Sequence, residues 1–244
     1  MSENYAVELD SVTRTYKRDE FEVRALDDVS FKIHEGSFVA IMGPSGSGKT
    51  TLLNLIAGID HATSGRVVVG NEQITEMNDQ ELASWRARHI GLVFQFYNLI
   101  PVLTAFENVE LPLLLTSLGK SERKTHVEAA LHAVGLADRM RHFPRQLSGG
   151  QEQRVAIARA IVTDPTILVA DEPTGDLDAK SAEDILNLLT ELKEQFHKTI
   201  VMVTHDPRSE RFVDIVYRMD KGTYVGAEQG GKYVDHAALL EPQS

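Results

Sequence analysis

A glycine-rich segment, GPSGSGKT at residues 43–50, constrains the fold of this chain more than any other feature. It follows a continuous apolar run at 37–42, which is typical of a strand covered on both faces, and it precedes a helical pattern over 49–57. A strand, a glycine-rich turn and a helix in this order bind phosphate, because bare backbone N–H groups and the positive end of the helix dipole converge on an anion. The segment therefore predicts an α/β fold.

The side chains of this loop have separate predicted tasks. Lys49 can reach the β- and γ-phosphates of a nucleotide, and the Thr50 hydroxyl can ligate Mg²⁺. A glycine-rich structural turn is the weaker interpretation, since it does not explain Gly-Lys-Thr in this context. We assign the whole loop and the residue after it to nucleotide binding: Gly43, Pro44, Ser45, Gly46, Ser47, Gly48, Lys49, Thr50 and Thr51.

Two adjacent carboxylates, Asp171 and Glu172, follow the apolar run TILVA at 166–170. They stand at the carboxyl end of a predicted strand, where open α/β sheets bind their ligands. If Asp171 holds the metal through water, Glu172 is free to orient and deprotonate an attacking water. The alternative is a solvated carboxylate pair, and the phosphate-binding loop favours the catalytic interpretation.

A second anion-binding pattern lies at residues 147–151, LSGGQ. Ser148 and Gln151 have the spacing of a capping box, and two glycines between them leave the backbone of a helix start bare. An ordinary capped helix is the alternative interpretation. The chain thus carries two candidate phosphate sites and one carboxylate pair.

The remaining pattern predicts a sheet with a helical insert. Alternation over 5–35 indicates antiparallel strands with a polar loop around Lys17 to Glu20. Residues from Thr104 to about Val162 are helical, with one helix after Thr104 and another over about 122–134. TILVA and TIVMV flank a helix that starts near Ser181 and form a parallel βαβ unit; one face of that helix carries Ile185, Leu188, Leu189, Leu192 and Phe196. The pattern of the last 25 residues predicts short strands or a loop.

Composition excludes several classes of protein. With 25 Lys and Arg against 36 Asp and Glu, the formal net charge of −11 argues against nucleic acid as a partner. The absence of cysteine excludes disulfides and thiolate metal sites. The N-terminus lacks the basic flank and apolar region of a secretory signal, and no apolar run approaches the roughly 20 residues of a membrane-spanning helix.

In these motifs the chain resembles the nucleotide-binding subunit of ATP-binding cassette (ABC) transporters over nearly its full length. The motifs stand in that family's order: the P-loop, Gln95 after IGLVF, LSGGQ, ILVADE, GDLD at 175–178 and His205 after TIVMVT. The resemblance implies one ABC ATPase domain over 1–244, with a P-loop NTPase core, a mostly parallel sheet and an N-terminal antiparallel β subdomain. About 1–94 and 163–244 would form the RecA-like core with this β subdomain, and about 95–162 the helical subdomain with the LSGGQ signature.

The resemblance also implies roles that single residues would not support. ATP and Mg²⁺ are the implied ligands. Gln95 would ligate the metal and sense the γ-phosphate, and His205 would contact that phosphate beside Glu172. Asp178 would belong to the nucleotide site, and Tyr16 matches the aromatic that stacks on adenine. A lone histidine or strand aromatic is more often structural, so these roles depend on the order of the motifs.

In the family that the chain resembles, the second phosphate site acts in a head-to-tail homodimer. Ser148, Gly149, Gly150 and Gln151 of one subunit would cap the γ-phosphate held by residues 43–50 of the other, so that ATP joins the two subunits. Glu172 and His205 are both present, which predicts two competent sites. Two positions depart from the family pattern: Glu152, which a helix N-terminus tolerates, and Asp176, which adds a charge to a loop expected to face the partner.

The apolar segment around Phe96–Leu103 is the predicted docking site for a separate membrane permease, with Phe96, Tyr97, Leu99 and Ile100 as its contacts. The same residues could instead form the core of the helical insert. Within the family, the motif sequences most resemble those of macrolide-export and lipoprotein-release ATPases. This resemblance implies a peripheral protein on the cytoplasmic face of the inner membrane. A regulatory ATPase without transport is the alternative function. A soluble cassette protein of translation or repair would carry tandem cassettes, a coiled coil or a basic face, and a small GTPase or kinase would leave LSGGQ unexplained.

Overall fold

The computed structural model of the chain describes residues 4–18, 21–229 and 232–234. These residues form two sheets and six α-helices. The strands are β1 (Tyr5–Arg18), β2 (Phe21–His34), β3 (Phe38–Met42), β4 (Ser64–Val69), β5 (Glu72–Gln73), β6 (Ile90–Phe94), β7 (Ile167–Asp171), β8 (Thr199–Val203), β9 (Ile215–Asp220), β10 (Thr223–Gln229) and β11 (Lys232–Val234). The helices are α1 (Lys49–Ile56), α2 (Asp79–His89), α3 (Ala105–Glu110), α4 (Lys120–Ala133), α5 (Gly149–Ile161) and α6 (Ala179–Phe196).

The N-terminal sheet is antiparallel, as predicted, with the strand order β2-β1-β4-β5. Strand β2 buries Leu26, Val29, Phe31 and Ile33, and the residues between them are partly or fully exposed. The predicted loop was placed too early, because β1 continues through Lys17 and Arg18 in pairing with β2. Residues 19 and 20, the other half of that predicted loop, lie outside the described residues.

The central sheet has the order β11-β10-β9-β3-β8-β7-β6. Strands β3 and β6 to β9 are parallel, and β10 and β11 extend the sheet in antiparallel pairing. Every residue of β3 and β8 is buried, which explains their continuous apolar runs. The mostly parallel sheet predicted from the phosphate-binding loop is therefore present, and its carboxyl edge is the edge where the candidate site lies.

The unit β7-α6-β8 is the predicted parallel βαβ unit. Helix α6 begins at Ala179 rather than near Ser181, because the Asp178 side chain accepts the N–H groups of residues 180 and 181 and caps the helix there. Four of the five residues predicted to share its buried face are buried, but Phe196 is 52% exposed. Phe196 is the last helical residue and is followed by a left-handed His197, so the helix ends before that side chain reaches the core.

The region between β6 and β7 is helical, as predicted, and contains α3, α4 and α5 with short 3₁₀ turns between them. Helix α4 begins two residues earlier than its predicted start at 122. Buried residues of α4 and α5, such as Leu131 and Ile157, belong to one hydrophobic cluster with Leu168, Leu188 and Ile200. The insert and one face of the central sheet therefore share a core.

Helix α2 was not predicted from the sequence. Only Leu82 and Trp85 of its eleven residues are buried, so its apolar periodicity is weak. The missed signal is its cap: Asn78 Oδ1 accepts the N–H groups of Gln80 and Glu81, and Glu81 returns a bond to the Asn78 N–H. Across the described part of the chain, none of the helices has the length and apolarity to cross a bilayer.

The last 25 residues contain the end of β9 with β10 and β11, which agrees with the short strands expected there. Residues 230–231 and 235–244 of that stretch lie outside the described residues.

Candidate active site

The phosphate-binding loop connects β3 to α1 and opens a cleft at the carboxyl edge of the central sheet. Gly48 precedes the helix with φ of +91°, and a Cβ there would lie 2.4 Å from the carbonyl oxygen of Ala25. Only glycine fits both the conformation and the space. No side chain caps α1, so the N–H groups of its first turn stay available to an anion.

Lys49 is buried beneath this loop, with 8% of its surface exposed. Its Nζ donates to the carbonyl oxygens of Gly43 at 2.9 Å and Pro44 at 2.8 Å and lies 3.5 Å from the hydroxyl of Ser47. Burial lowers the pKa of Lys49, and the nearby carboxylates Glu172 and Asp171 act in the opposite direction. The ammonium group is thus held by acceptors at the base of the loop.

The cleft has a volume of about 650 Å³. One wall of the cleft consists of the P-loop with Glu172 and His205, which the motifs predicted, and the other wall belongs to β2, which no motif predicted. Val23, Arg24 and Ala25 form that wall, and the only advance signal was their place at the start of an alternating strand. The other lining residues were all predicted: Gly43, Pro44, Ser45, Gly46, Gly48, Lys49, Thr50, Thr51, Glu172 and His205.

Thr50 and Asp171 bring two oxygen donors together. The Thr50 hydroxyl lies 3.5 Å from Oδ1 of Asp171, which is the residue before Glu172. Burial raises the pKa of Asp171, and repulsion from Glu172 adds to this, while Thr50 and Lys49 oppose the rise. Mg²⁺ prefers hard oxygen ligands and keeps several waters, so one hydroxyl and one carboxylate beside a phosphate cleft fit this ion.

Glu172 and His205 form a pair at the edge of the cleft, with 2.8 Å between Glu172 Oε1 and His205 Nδ1. Glu172 has φ of +48°, and its N–H donates to the carbonyl oxygen of Val203. The strained turn therefore starts directly at the end of β7 and aims the carboxylate into the cleft. A carboxylate beside an imidazole can orient and deprotonate a water in that space.

Gln95 does not line the cleft. Its Nε2 donates to Asp176 Oδ1 at 2.9 Å, and a Cβ on Gly175 would lie 2.9 Å from the same nitrogen. The side chain therefore lies against the 175–178 loop, where Asp176 is exposed. The added charge at Asp176 has a partner within its own chain, and the Gln95–metal contact stays a prediction.

Tyr16 also lies outside the residues that line the cleft. It pairs with Val23 across β1 and β2, and Val23 does line the cleft. The Tyr16 hydroxyl donates to Asp60 Oδ2 at 2.7 Å, and the Arg14 guanidinium stacks 4.5 Å from the ring centroid. Its role toward adenine stays a prediction.

The signature segment begins α5 with the predicted capping box. The Ser148 hydroxyl accepts the Gln151 N–H at 3.3 Å, and Gln151 Oε1 accepts the Ser148 N–H at 3.0 Å. Within the same chain, the side chains of Tyr97 and Leu177 lie next to Gly149, and the side chain of Ser181 lies next to Gly150. No signature residue is among those that line the cleft of the same chain.

Comparisons with known proteins identify the family. A family model described as ABC transporter matches residues 26–175. The chain belongs to the ABC transporter family. This ABC ATPase is 48% identical over 225 residues to an ABC transporter ATP-binding protein of Thermotoga maritima, covering 92% of this chain and 96% of that protein. It is 46% identical over 213 residues to the macrolide export ATP-binding/permease protein MacB of Hyphomonas neptunium, covering 86% of this chain but 33% of MacB.

Solved structures extend the similarity to the fold. The ATP-binding cassette MJ0796 of Methanocaldococcus jannaschii is 45% identical in a dimeric post-hydrolysis state bound to ADP and Pi, with a TM-score of 0.83. The match covers 91% of this chain and 98% of that one. The predicted fold class and the assignment to the ABC ATPases are therefore confirmed.

Proposed function

We propose that this ABC ATPase dimerises around two ATP molecules and powers a separate membrane permease, of the export or envelope mechanotransmission type. The observation that carries the proposal is the separation of the two phosphate sites within one chain. The P-loop opens a cleft beside Glu172, whereas the signature segment lies outside that cleft. A second copy of the chain would supply the missing half of each site.

Two further observations support the dimer. Ser148 and Asp176 are exposed, so both the signature segment and the 175–178 loop are open to a partner subunit. MJ0796, which matches 91% of this chain, is a dimer in two solved structures. In such a dimer Ser148, Gly149, Gly150 and Gln151 face the γ-phosphate across the interface, and Asp178 holds its own loop by capping α6.

The chain's own residues divide the work of hydrolysis. Lys49 and the bare N–H groups of the loop hold the β- and γ-phosphates. Glu172 orients and deprotonates the attacking water, and His205 holds that carboxylate and contacts the γ-phosphate. Thr50, Asp171 and Gln95 would hold Mg²⁺, which when bound neutralises charge on the phosphate oxygens. Tyr16 and the β2 wall would receive the adenine.

Permease docking is assigned to the helical region, residues 95–162, which we propose as a subdomain of the single 1–244 domain. Phe96 is 69% exposed, Ile100 is 40% exposed and Val102 is 78% exposed. Leu99 packs against the core instead, and Tyr97 lies against Gly149, so these two are weaker contacts. Exposed apolar side chains beside Gln95 suit an apolar partner segment. Such docking places the protein on the cytoplasmic face of the inner membrane.

Glu172→Gln tests the catalytic assignment. The amide keeps the size of the side chain and cannot take a proton, so turnover should fall by about 10²-fold or more while ATP binding persists. The variant should also accumulate as an ATP-bound dimer in size-exclusion chromatography. Unchanged turnover would remove Glu172 from its role.

A mixing experiment tests the shared site. Lys49→Ala damages the P-loop half and Ser148→Arg damages the signature half, so each protein alone should be inactive. Mixed dimers contain one site built from two intact halves, and ATPase activity should return on mixing. No recovery despite dimer formation would exclude a site shared between copies.

Transport is tested with the permease that co-purifies in mild detergent. Substrate flux into reconstituted vesicles should require ATP and should be lost with Glu172→Gln. Hydrolysis without any flux would favour the regulatory alternative.

A further inference from the structure

Gln153 is a buried polar side chain that no motif explained. It lies on α5 one turn after Gly149 and is 0% exposed. Its Nε2 donates to the carbonyl oxygen of Phe94 at 3.2 Å and to that of Pro173 at 2.7 Å. A primary amide has two N–H donors, and here both serve backbone carbonyl groups.

The two carbonyl groups belong to the residues that flank the predicted catalytic side chains. Phe94 ends β6 directly before Gln95, and Pro173 directly follows Glu172. Phe94 also pairs with Asp171 across β6 and β7. Gln153 therefore ties the signature helix to the backbone of two neighbouring strand ends at once.

The orientation of the Gln153 amide is fixed by its surroundings. Backbone carbonyl oxygens only accept, so the nitrogen must face them, and the Oε1 atom has no hydrogen-bond partner among the described residues. A buried acceptor without a hydrogen-bond partner lowers the free energy of unfolding, and an apolar side chain at this position would avoid that loss. The two donated bonds are the gain that offsets it.

Helix α5 holds the Gln95 segment on its other side as well. The Arg159 guanidinium donates to the carbonyl oxygens of Tyr97 at 2.9 Å and Asn98 at 2.7 Å. Gln153 and Arg159, both on α5, thus donate hydrogen bonds to the backbone on either side of Gln95. A helix is stiff along its axis, so a displacement at its Ser148 end reaches both contacts.

We propose that Gln153 is a positioning residue, which couples the signature segment to the backbone of Gln95 and Glu172. The proposal rests on the roles given above to those two residues and to the signature segment. When a nucleotide in the opposite subunit draws in the N-terminus of α5, Gln153 carries the two catalytic loops with it. Hydrolysis then depends on closure, because the loops and the helix move as one unit.

Gln153→Met and Gln153→Glu test this coupling. Both keep the size of the side chain. The thioether of methionine cannot donate to either carbonyl group, and a carboxyl group can donate to at most one of the two. We expect kcat to fall by about 10- to 100-fold, the range of a small misplacement of catalytic groups, with ATP affinity within about twofold of wild type. In a Glu172→Gln background, the ATP-bound dimer should still form.

Ile157→Val is the matched control, because Ile157 is fully buried on the same helix and its side chain has no donor for either carbonyl group. It should lower the melting temperature and leave kcat unchanged. If Gln153→Met lowers kcat no more than this control, or lowers ATP affinity and dimer formation in parallel with kcat, Gln153 is structural and the proposal is wrong. Should the Met variant not fold, Gln153→Glu carries the same comparison.

Failure of the proposed function has a different signature. If Glu172→Gln hydrolyses ATP like wild type, the catalytic assignment fails whatever the Gln153 variants do. If Glu172→Gln is inactive and Gln153→Met is fully active, only the coupling fails.

Discussion

The two glycine-rich helix starts of this chain look alike in sequence and differ in structure. Helix α1 begins after a left-handed Gly48 and has no side-chain cap, and the loop before it opens into the cleft. Helix α5 begins after Ser148, whose hydroxyl and the Gln151 side chain complete a reciprocal cap. The first start leaves its donors for a ligand, whereas the second satisfies part of them internally.

This difference separates a site that can bind alone from one that needs a partner. An uncapped helix start beside a buried lysine holds phosphate within one chain. A capped, exposed start with Glu152 in its first turn offers weaker phosphate binding, which suits a surface that completes a site held by another copy. Variants at the two starts should therefore fail in different ways.

Gly48→Ala should have the largest effect. A Cβ at this position meets the Ala25 carbonyl oxygen at 2.4 Å and forces alanine to a positive φ. We expect about 2–4 kcal/mol of lost stability and no detectable ATP binding by the isolated subunit. Urea unfolding and nucleotide titration measure these two quantities.

Gly46→Ala is the control for that variant. Gly46 also has a positive φ, of +78°, but a Cβ there meets no atom within 4 Å. Its loss of stability should be smaller than that of Gly48→Ala. Equal losses would show that the close approach to Ala25 has no role.

Ser148→Ala should have an intermediate effect. Loss of the cap costs about 1 kcal/mol of stability. ATP affinity of the isolated subunit should stay unchanged, while kcat falls by about tenfold or more because a γ-phosphate contact is lost. Thr104→Ala removes a similar capping box from α3 and should lower stability without changing kcat. A matching loss of kcat in both variants would contradict the comparison.

Asp171→Asn should have the smallest effect on the stability of the nucleotide-free protein, and one of opposite sign. Burial raises the pKa of Asp171 in the folded state, so its contribution to stability is present below the pKa of the unfolded chain and is lost as pH rises through the folded pKa. Asparagine carries no charge to desolvate. The nucleotide-free variant should melt about 1–4 °C higher than wild type at pH 7–8, and the difference should vanish toward acidic pH. A lower melting temperature at pH 8 would contradict this.

Sequence reasoning reached the parts of the site whose residue types are specific to their chemistry. The P-loop, Asp171, Glu172 and His205 were all found, and the structure brings them to one edge of the sheet. It missed α2, whose buried face has only two residues. It also missed the β2 wall of the cleft, because Val23 and Ala25 have no chemistry that marks them.

The sequence by itself determined the phosphate-binding loop, the carboxylate pair and the capped signature helix, because each depends on residues close together in the chain. Only the tertiary structure decided which of these share a site. It brought Glu172 to the P-loop cleft, directed Gln95 to Asp176 and joined Gln153 to two strand ends. The hydrogen bonds of Gln95 and Gln153 span 20 to 81 residues of chain, and Glu172 lies more than 120 residues after the P-loop. Contacts between such distant residues follow from the packing of strands and helices rather than from any local pattern.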